Sequence, residues 1–169
     1  MTMGRSIKKV VSVLVDNEPG VLARTTSLLG RRGYNIESLT VSATNNRKVS
    51  RITIVIEGDE HMLNQLIGQT AKLHVVQDIF TLDYERSVAR ELLLVKVAAD
   101  ESNRGALTEI ANVYKAKIVD LSIGSMILEL TGEQNKLDGF LSILSEYTIM
   151  EVCRTGITAL SRGAINNED

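Results

Sequence analysis

Asp16-Asn17-Glu18-Pro19-Gly20-Val21-Leu22 separates two kinds of apolar patterning. Before it, Val11, Val13 and Val15 alternate with Val10, Ser12 and Leu14, the period of a strand. After it, Val21, Leu22, Thr25, Leu28 and Leu29 recur at helical spacing. The stretch therefore reads as a strand-to-helix turn. Pro19 suits a first helical position, where its missing N–H has no intrahelical acceptor to lose. Gly20 has no Cβ, so a ligand or another backbone can come close. The N–H groups of the following turn point outward at the positive end of the helix dipole, a small anion site suited to a carboxylate. An ordinary turn and helix start accounts for the same residues.

Working outward, Ile7–Val15 is predicted as a strand covered on at least part of both faces, because both of its residue sets are largely apolar. Helix one is expected over 19–32, with Arg24, Arg31 and Arg32 on its solvated side and Gly33 ending it in the left-handed conformation. Strand two is expected over 34–42, and Asn45-Asn46-Arg47-Lys48 is a polar hairpin turn. Strand three follows over 49–57, with Ile52, Ile54 and Ile56 on one face. Gly58-Asp59 opens a helix over 60–72 with the stripe Met62, Leu63, Leu66 and Ile67. Strand four is expected over 75–82.

Residues 83–90 are charged and weakly patterned, and read as a linker. The order then starts again. A strand is expected over 92–99, a turn over 100–105, and a helix whose face is supplied by Ala106-Leu107, Ile110-Ala111 and Val113-Tyr114. Strands follow over 117–123 and 126–130 around a tight Gly124-Ser125 turn, then a helix over 134–146 and a strand over 148–155. The tail from Gly156 is expected to fray into polar residues. The chain thus reads as α+β, two tandem ferredoxin-like βαββαβ domains: 1–82, then the 83–90 linker, then 91–169 with its polar tail. Right-handed crossovers make an antiparallel four-stranded sheet with two helices on one face the simplest arrangement. The apolar second face of strand one calls for cover from a partner subunit or the second repeat.

Composition narrows the function classes. A net charge of −2 and a pI near 5.8 give no electrostatic reason to expect nucleic acid or an anionic membrane. Aromatic residues make up 4% with no Trp, so base-stacking platforms are poorly supplied. Cys153 is the single cysteine, which excludes an internal disulfide and fits a reducing, cytoplasmic setting. The stretch 1–9 lacks the apolar core of a signal peptide, and no apolar run is long enough to span a bilayer. His61, His74 and Cys153 have no metal-ligand spacing, and Gly30-Arg-Arg-Gly33 closes a helix instead of opening one as a nucleotide loop would. Glu57, Asp59 and Glu60 cluster at a helix start, where capping and the dipole explain them. No catalytic constellation and no metal site are expected.

Asn17-Glu-Pro-Gly-Val-Leu22, followed by Arg31-Arg-Gly-Tyr-Asn-Ile-Glu-Ser-Leu-Thr-Val41, resembles the regulatory small subunit of acetolactate synthase, also called acetohydroxyacid synthase. The first motif is shared by many ACT domains, small modules that sense amino acids; the second is more specific. Ser50-Arg-Ile-Thr-Ile54, Glu91-Leu-Leu-Leu-Val-Lys-Val97, Arg154-Thr-Gly156 and Leu160-Ser-Arg-Gly163 extend the resemblance over nearly the whole chain. The resemblance implies that residues 1–82 form an ACT domain. It implies binding of a branched-chain amino acid, typically valine or else leucine or isoleucine, with feedback inhibition and activation of a separate catalytic subunit. Thiamine diphosphate, magnesium and FAD are expected only in that catalytic subunit, and no cofactor in this chain. The family's ACT domains pair side by side into a homodimer. The effector sits between the strand-one/helix-one turn of one chain and the start of strand two of the other.

On this sequence the implied effector residues are Asn17, Gly20, Val21, Leu22, Asn35 and Ile36. The chemistry fits: backbone N–H groups at Gly20–Leu22 suit a carboxylate, and the amides of Asn17 and Asn35 offer donor and acceptor without net charge. Val21, Leu22 and Ile36 serve equally well as core, Asn17 as a turn residue and Asn35 as a strand entry. The second repeat has Glu101-Ser-Asn-Arg-Gly105 in place of the signature, and Lys117-Ile118 in place of Asn35-Ile36, so it is expected to be structural or to contact the catalytic subunit. Two other readings fit the fold: a stand-alone amino-acid-responsive regulator of another enzyme or of transcription, and a small acylphosphatase-type enzyme. The latter needs an arginine beside Asn17, and none is there.

Overall fold

The computed structural model describes residues 7–30 and 35–163. Its elements run β1 (Ile7–Asp16), α1 (Val21–Gly30), β2 (Asn35–Ala43), β3 (Val49–Gly58), α2 (Glu60–Thr70) and β4 (Val76–Leu82). They continue with β5 (Ser87–Ala99), α3 (Arg104–Tyr114), β6 (Lys117–Ser122), β7 (Gly124–Gly132), α4 (Gln134–Leu144), β8 (Ile149–Arg154) and β9 (Thr158–Ser161). Two βαββαβ units result, each with an antiparallel sheet, ordered β2-β3-β1-β4 and β6-β7-β5-β8. The tandem ferredoxin-like reading holds. Leu28 and Leu29, expected on the apolar face of α1, and Arg31, Arg32, Gly33 and Tyr34 lie outside the described side chains and residues.

In the first unit the alternation of β1 and β3 decides the core. Val11, Val13 and Val15 pair in register with Ile54, Ile52 and Ser50, and the apolar set joins Val21, Leu63, Leu66 and Val75 in one buried cluster. Asp59 caps α2 by accepting from the Met62 N–H at 2.8 Å. The other sheet face is buried as well at Val10, Ser12, Thr53 and Val55. On that face Arg51 lies 5.8 Å from the Phe80 ring centre and donates to the Ala159 carbonyl.

The first unit takes the chain up to Val88 and resumes at Ile157; the second is Ala89–Gly156. The tail after Gly156 does not fray at once. Ile157 and Ala159 are buried, and β9 pairs with β5, with Arg162 N–H donating to the Arg86 carbonyl at 2.7 Å. The tail therefore supplies cover on a face that the sequence reading assigned to a partner subunit or to the second repeat. The expected 83–90 linker shrinks likewise, because β5 already begins at Ser87, which is buried and accepts from Arg162 Nε through its carbonyl.

In the second unit Leu93, Val95 and Val97 of β5 pack with Met126, Leu128 and Leu130 of β7 beneath Leu107, Ala111, Leu137, Phe140 and Leu144 of the helices. The Tyr114 and Phe140 rings meet at 5.0 Å between centroids. The β6–β7 turn is Ile123-Gly124, one residue earlier than expected, because Gly124 takes a φ of +84° and Ser122 pairs with Ser125.

Candidate effector site

Pro19 is not helical. Val21 N–H donates to the Glu18 carbonyl at 3.3 Å, closing a four-residue turn with Pro19 second and Gly20 third. Gly20 has φ +83°, the left-handed value that a type II turn needs at its third residue. A helical residue cannot hold that angle, so α1 starts at Val21 instead of Pro19. Arg24 N–H reaches the Gly20 carbonyl at 3.1 Å. The N–H groups of Leu22 and Ala23 precede it, and helix geometry leaves them without intrahelical acceptors. The turn therefore presents donors at the start of α1 from Leu22 and Ala23, and not from Val21, whose N–H is spent on the Glu18 carbonyl.

A Cβ built on Gly20 meets nothing within 4 Å, so space does not demand glycine there; the backbone angle does. Gly20→Ala is expected to cost about 1–2 kcal/mol of stability from the left-handed conformation alone. Urea unfolding checks this; a neutral change would mean that the turn relaxes freely.

Asn17 is exposed, and its side chain does not cap the helix. Its Nδ2 donates to the Arg47 carbonyl at 2.9 Å, and its backbone N–H donates to the Lys48 carbonyl at 2.8 Å. Both bonds tie the turn to the β2–β3 hairpin and leave the amide oxygen as an acceptor. Sequence reading took 45–48 only as a turn; no local signal marks a carbonyl as the anchor of a residue about thirty positions away. Val21 is 3% exposed and belongs to the core cluster, so it anchors α1 and does not line a surface site. Leu22 is 42% exposed beside it. Ile36 packs partly against the core, and Asn35 is exposed at the start of β2.

The two asparagines do not meet within one chain. Asn35 pairs with Glu57, and Glu57 with Lys8, at the opening end of β1. Asn17 follows Asp16 at its closing end, eight residues on. At about 3.3 Å per residue that is about 26 Å. β2 is an edge strand, so its outer side is open to pairing.

The matching turn of the second unit is closed on itself. Ser102 donates to Asp100 Oδ1 from its N–H at 2.8 Å and its hydroxyl at 2.6 Å, and Asp100 N–H donates to Asn103 Oδ1 at 2.9 Å. The Ser102 hydroxyl is the largest of the influences that hold the Asp100 carboxyl below its ordinary range. A depressed carboxylate contributes stability above its unfolded pKa and loses it as pH falls through the folded value. Ser102→Ala is expected to move the Asp100 titration back up, read by carbon NMR of its carboxyl; an unmoved titration would remove the hydroxyl as its cause. Among the described residues no group of three or more His, Cys, Asp or Glu is placed to hold a metal. His61 sits on the exposed side of α2 against Gln65, and His74 is exposed in the turn before β4. No helix among them is long and apolar enough to cross a membrane.

Residues 11–78 match the family described as AHAS small subunit-like ACT domain, and residues 90–163 match the small subunit of acetolactate synthase. The chain belongs to the acetolactate synthase small-subunit family. A probable acetolactate synthase small subunit of Archaeoglobus fulgidus is 45% identical over 93% of this chain and 98% of its own length. The small subunit of Mycolicibacterium smegmatis is 44% identical over 90% of each chain. That of Haemophilus influenzae is 37% identical over 95% of this chain and 99% of its own. The crystal structure of the acetolactate synthase small subunit from Thermotoga maritima superposes with a TM-score of 0.87 at 34% identity, covering 94% of this chain and 99% of that one. Membership in the acetolactate synthase small-subunit family makes the chain a regulatory small subunit in kind, with an ACT domain as its first repeat.

Proposed function

We propose that this chain binds a branched-chain amino acid between the ACT domains of two copies and passes that binding to a separate acetolactate synthase catalytic subunit as feedback inhibition. It also activates that subunit, which carries the thiamine diphosphate, magnesium and FAD, and the complex works in the cytoplasm. The observation that carries the reading is the separation of Asn17 and Asn35 along one sheet, with β2 open at its edge. Antiparallel pairing of β2 with β2 of a second copy about Leu39 would bring that copy's Asn35, past the bulge at Glu37, to the Ser42–Ala43 end of β2. Ala43 pairs with Ser50, at the sheet end where Asn17 is tied to the hairpin.

Each part of an amino acid then has a partner. The N–H groups at the start of α1 take the carboxylate. Asn17 Oδ1, held outward by the bond to Arg47, takes the ammonium, and Asn35 of the second copy closes the far side. Leu22, Ile36 and the exposed Val41 offer apolar surface for the side chain. Calorimetry with valine, leucine and isoleucine tests the reading: at least one is expected to bind saturably, with one site per two-fold-related turn. Analytical ultracentrifugation is expected to show a dimer or larger at micromolar concentration with the effector present; a pure monomer there would sink the interface.

A further inference from the structure

Asn17 meets the β2–β3 hairpin through a carbonyl, and that fixes which way round its amide sits. The Arg47 carbonyl can only accept, so the group 2.9 Å from it is the amide's Nδ2, and Oδ1 is turned away. An unheld asparagine in an exposed turn rotates and offers either end; this one offers an acceptor. The hairpin that holds it is closed on itself. Lys48 N–H donates to Asn46 Oδ1 at 3.0 Å, and Val49 N–H to the Asn46 carbonyl at 2.9 Å. Thr44 Oγ1 accepts from Asn46 N–H at 3.1 Å and lies 2.9 Å and 3.0 Å from the carbonyls of Asn46 and Val49. These bonds leave the carbonyls of Arg47 and Lys48 to Asn17, which takes one with its amide and the other with its backbone N–H at 2.8 Å. Turn and hairpin are thus joined at two successive peptide groups.

Resting on the effector reading above, we propose that Thr44 and Asn46 are positioning residues that set the chemical selectivity of the site. By holding the Arg47 carbonyl against the Asn17 amide, they make it a site for 2-amino acids and against 2-oxo acids. The two ligand classes share a carboxylate and a side chain, and differ only at C2. There an amino acid has an ammonium, with three donors and a charge; an oxo acid has a carbonyl, which only accepts. Against an outward Oδ1 the ammonium gains a charge-assisted hydrogen bond, whereas the oxo group sets two acceptors face to face. A 2-hydroxy acid falls between them, with one neutral donor. An amide turned the other way would reverse the order, since its NH2 would repel the ammonium and donate to the oxo group. Acetolactate is itself a 2-hydroxy carboxylate without an ammonium, so the outward acceptor ranks it below an amino acid at a site that works beside acetolactate synthase.

Displacement calorimetry on the full chain tests it, with valine, leucine and isoleucine as probes, each beside the 2-hydroxy and 2-oxo acid of the same skeleton. The unsubstituted chain is expected to bind its amino acid at least about tenfold more tightly than the hydroxy acid, and about a hundredfold more tightly than the oxo acid. Thr44→Val keeps the side-chain shape and removes the hydroxyl, and Asn46→Ala removes the acceptor for Lys48 N–H. In each the Asn17 amide is expected to turn, and the ratio of amino-acid to oxo-acid affinity to fall at least about fivefold. Thr44→Ser keeps a hydroxyl and is expected to keep the ratio. A purely structural role would weaken all three ligand classes alike. An unchanged ratio in both Thr44→Val and Asn46→Ala would therefore overturn the proposal and leave the effector site standing. Equal affinity of the unsubstituted chain for amino acid and oxo acid would overturn it too. If none of the three amino acids bound saturably, the effector reading itself would fall, and the selectivity with it.

Discussion

Asn35→Ala is expected to leave the chain able to activate an acetolactate synthase catalytic subunit and unable to confer inhibition by branched-chain amino acids. Asn35 is exposed at the first position of an edge strand, so its side chain contributes little to the fold. Removing one amide from a ligand loses roughly 0.5–1.5 kcal/mol, more where the lost partner is charged. Allosteric coupling is itself only about 1–3 kcal/mol, so a loss of that size erases regulation at ordinary effector levels. Asn17→Ala is expected to share the phenotype with an added cost, because it also removes the bond to the Arg47 carbonyl. The measurement is synthase activity of the reconstituted pair, with and without each amino acid. Normal activation with inhibition at the unsubstituted concentration would move the effector site elsewhere. Loss of activation by Asn35→Ala would place β2 at the catalytic-subunit contact instead.

The second large effect concerns stability. Arg154→Ala is expected to weaken the second unit by about 3–5 kcal/mol, because it leaves a buried carboxylate without its cation. Glu91 is 5% exposed and accepts from Arg154 Nε, while Arg154 Nη1 donates to Asp138 at 2.6 Å. Burial, the largest single influence on the guanidinium, favours its neutral form, and the bonds to Asp138 and Glu91 together outweigh it and raise its pKa. The cation is therefore held at every accessible pH. Native-state amide exchange in β5 and β8 should quicken by about two to four orders of magnitude at about 1.4 kcal/mol per tenfold, while β1 and β3 keep their protection. Glu91→Leu/Arg154→Met, which removes both charges, is expected to recover most of the loss. A single Arg154→Ala variant that exchanges normally would show that water reaches Glu91 and solvates it.

Much of the fold was legible because its signal is local. Val11, Val13 and Val15 alternate, Leu63 and Leu66 fall on one helical stripe, and the same order recurs after residue 90. What stayed hidden depends on pairing between distant segments. Thr158–Ser161 is short and half polar, and only the strand beside it makes it a strand. Ser87–Arg90 reads as a linker because it continues the charged run of Asp83, Glu85 and Arg86 and ends on Arg90, and Ser87 is fixed by Arg162, seventy-five residues on. The bulges at Glu37 and Val119 are properties of register and leave no mark on one strand alone. At the site, the Pro-Gly pair and both asparagines stood out from type and position. That Val21 is core, and that Asn17 is anchored by a carbonyl of the hairpin, needed the coordinates.

The return of the chain to its first unit has a consequence for how the protein is made. The second unit is continuous in sequence, so all of it has been translated before Ile157 is added. The first unit is assembled from segments on both sides of it, and its buried residues Ile157 and Ala159 are translated after the whole of the second unit. Domains ordinarily fold in the order they leave the ribosome. Here the domain that starts first is completed last, and until then Val10, Ser12, Thr53 and Val55 wait without the segment that binds Arg51. A released chain truncated after Gly156 should therefore protect β5–β8 from protease while its β1–β4 sheet is still cut.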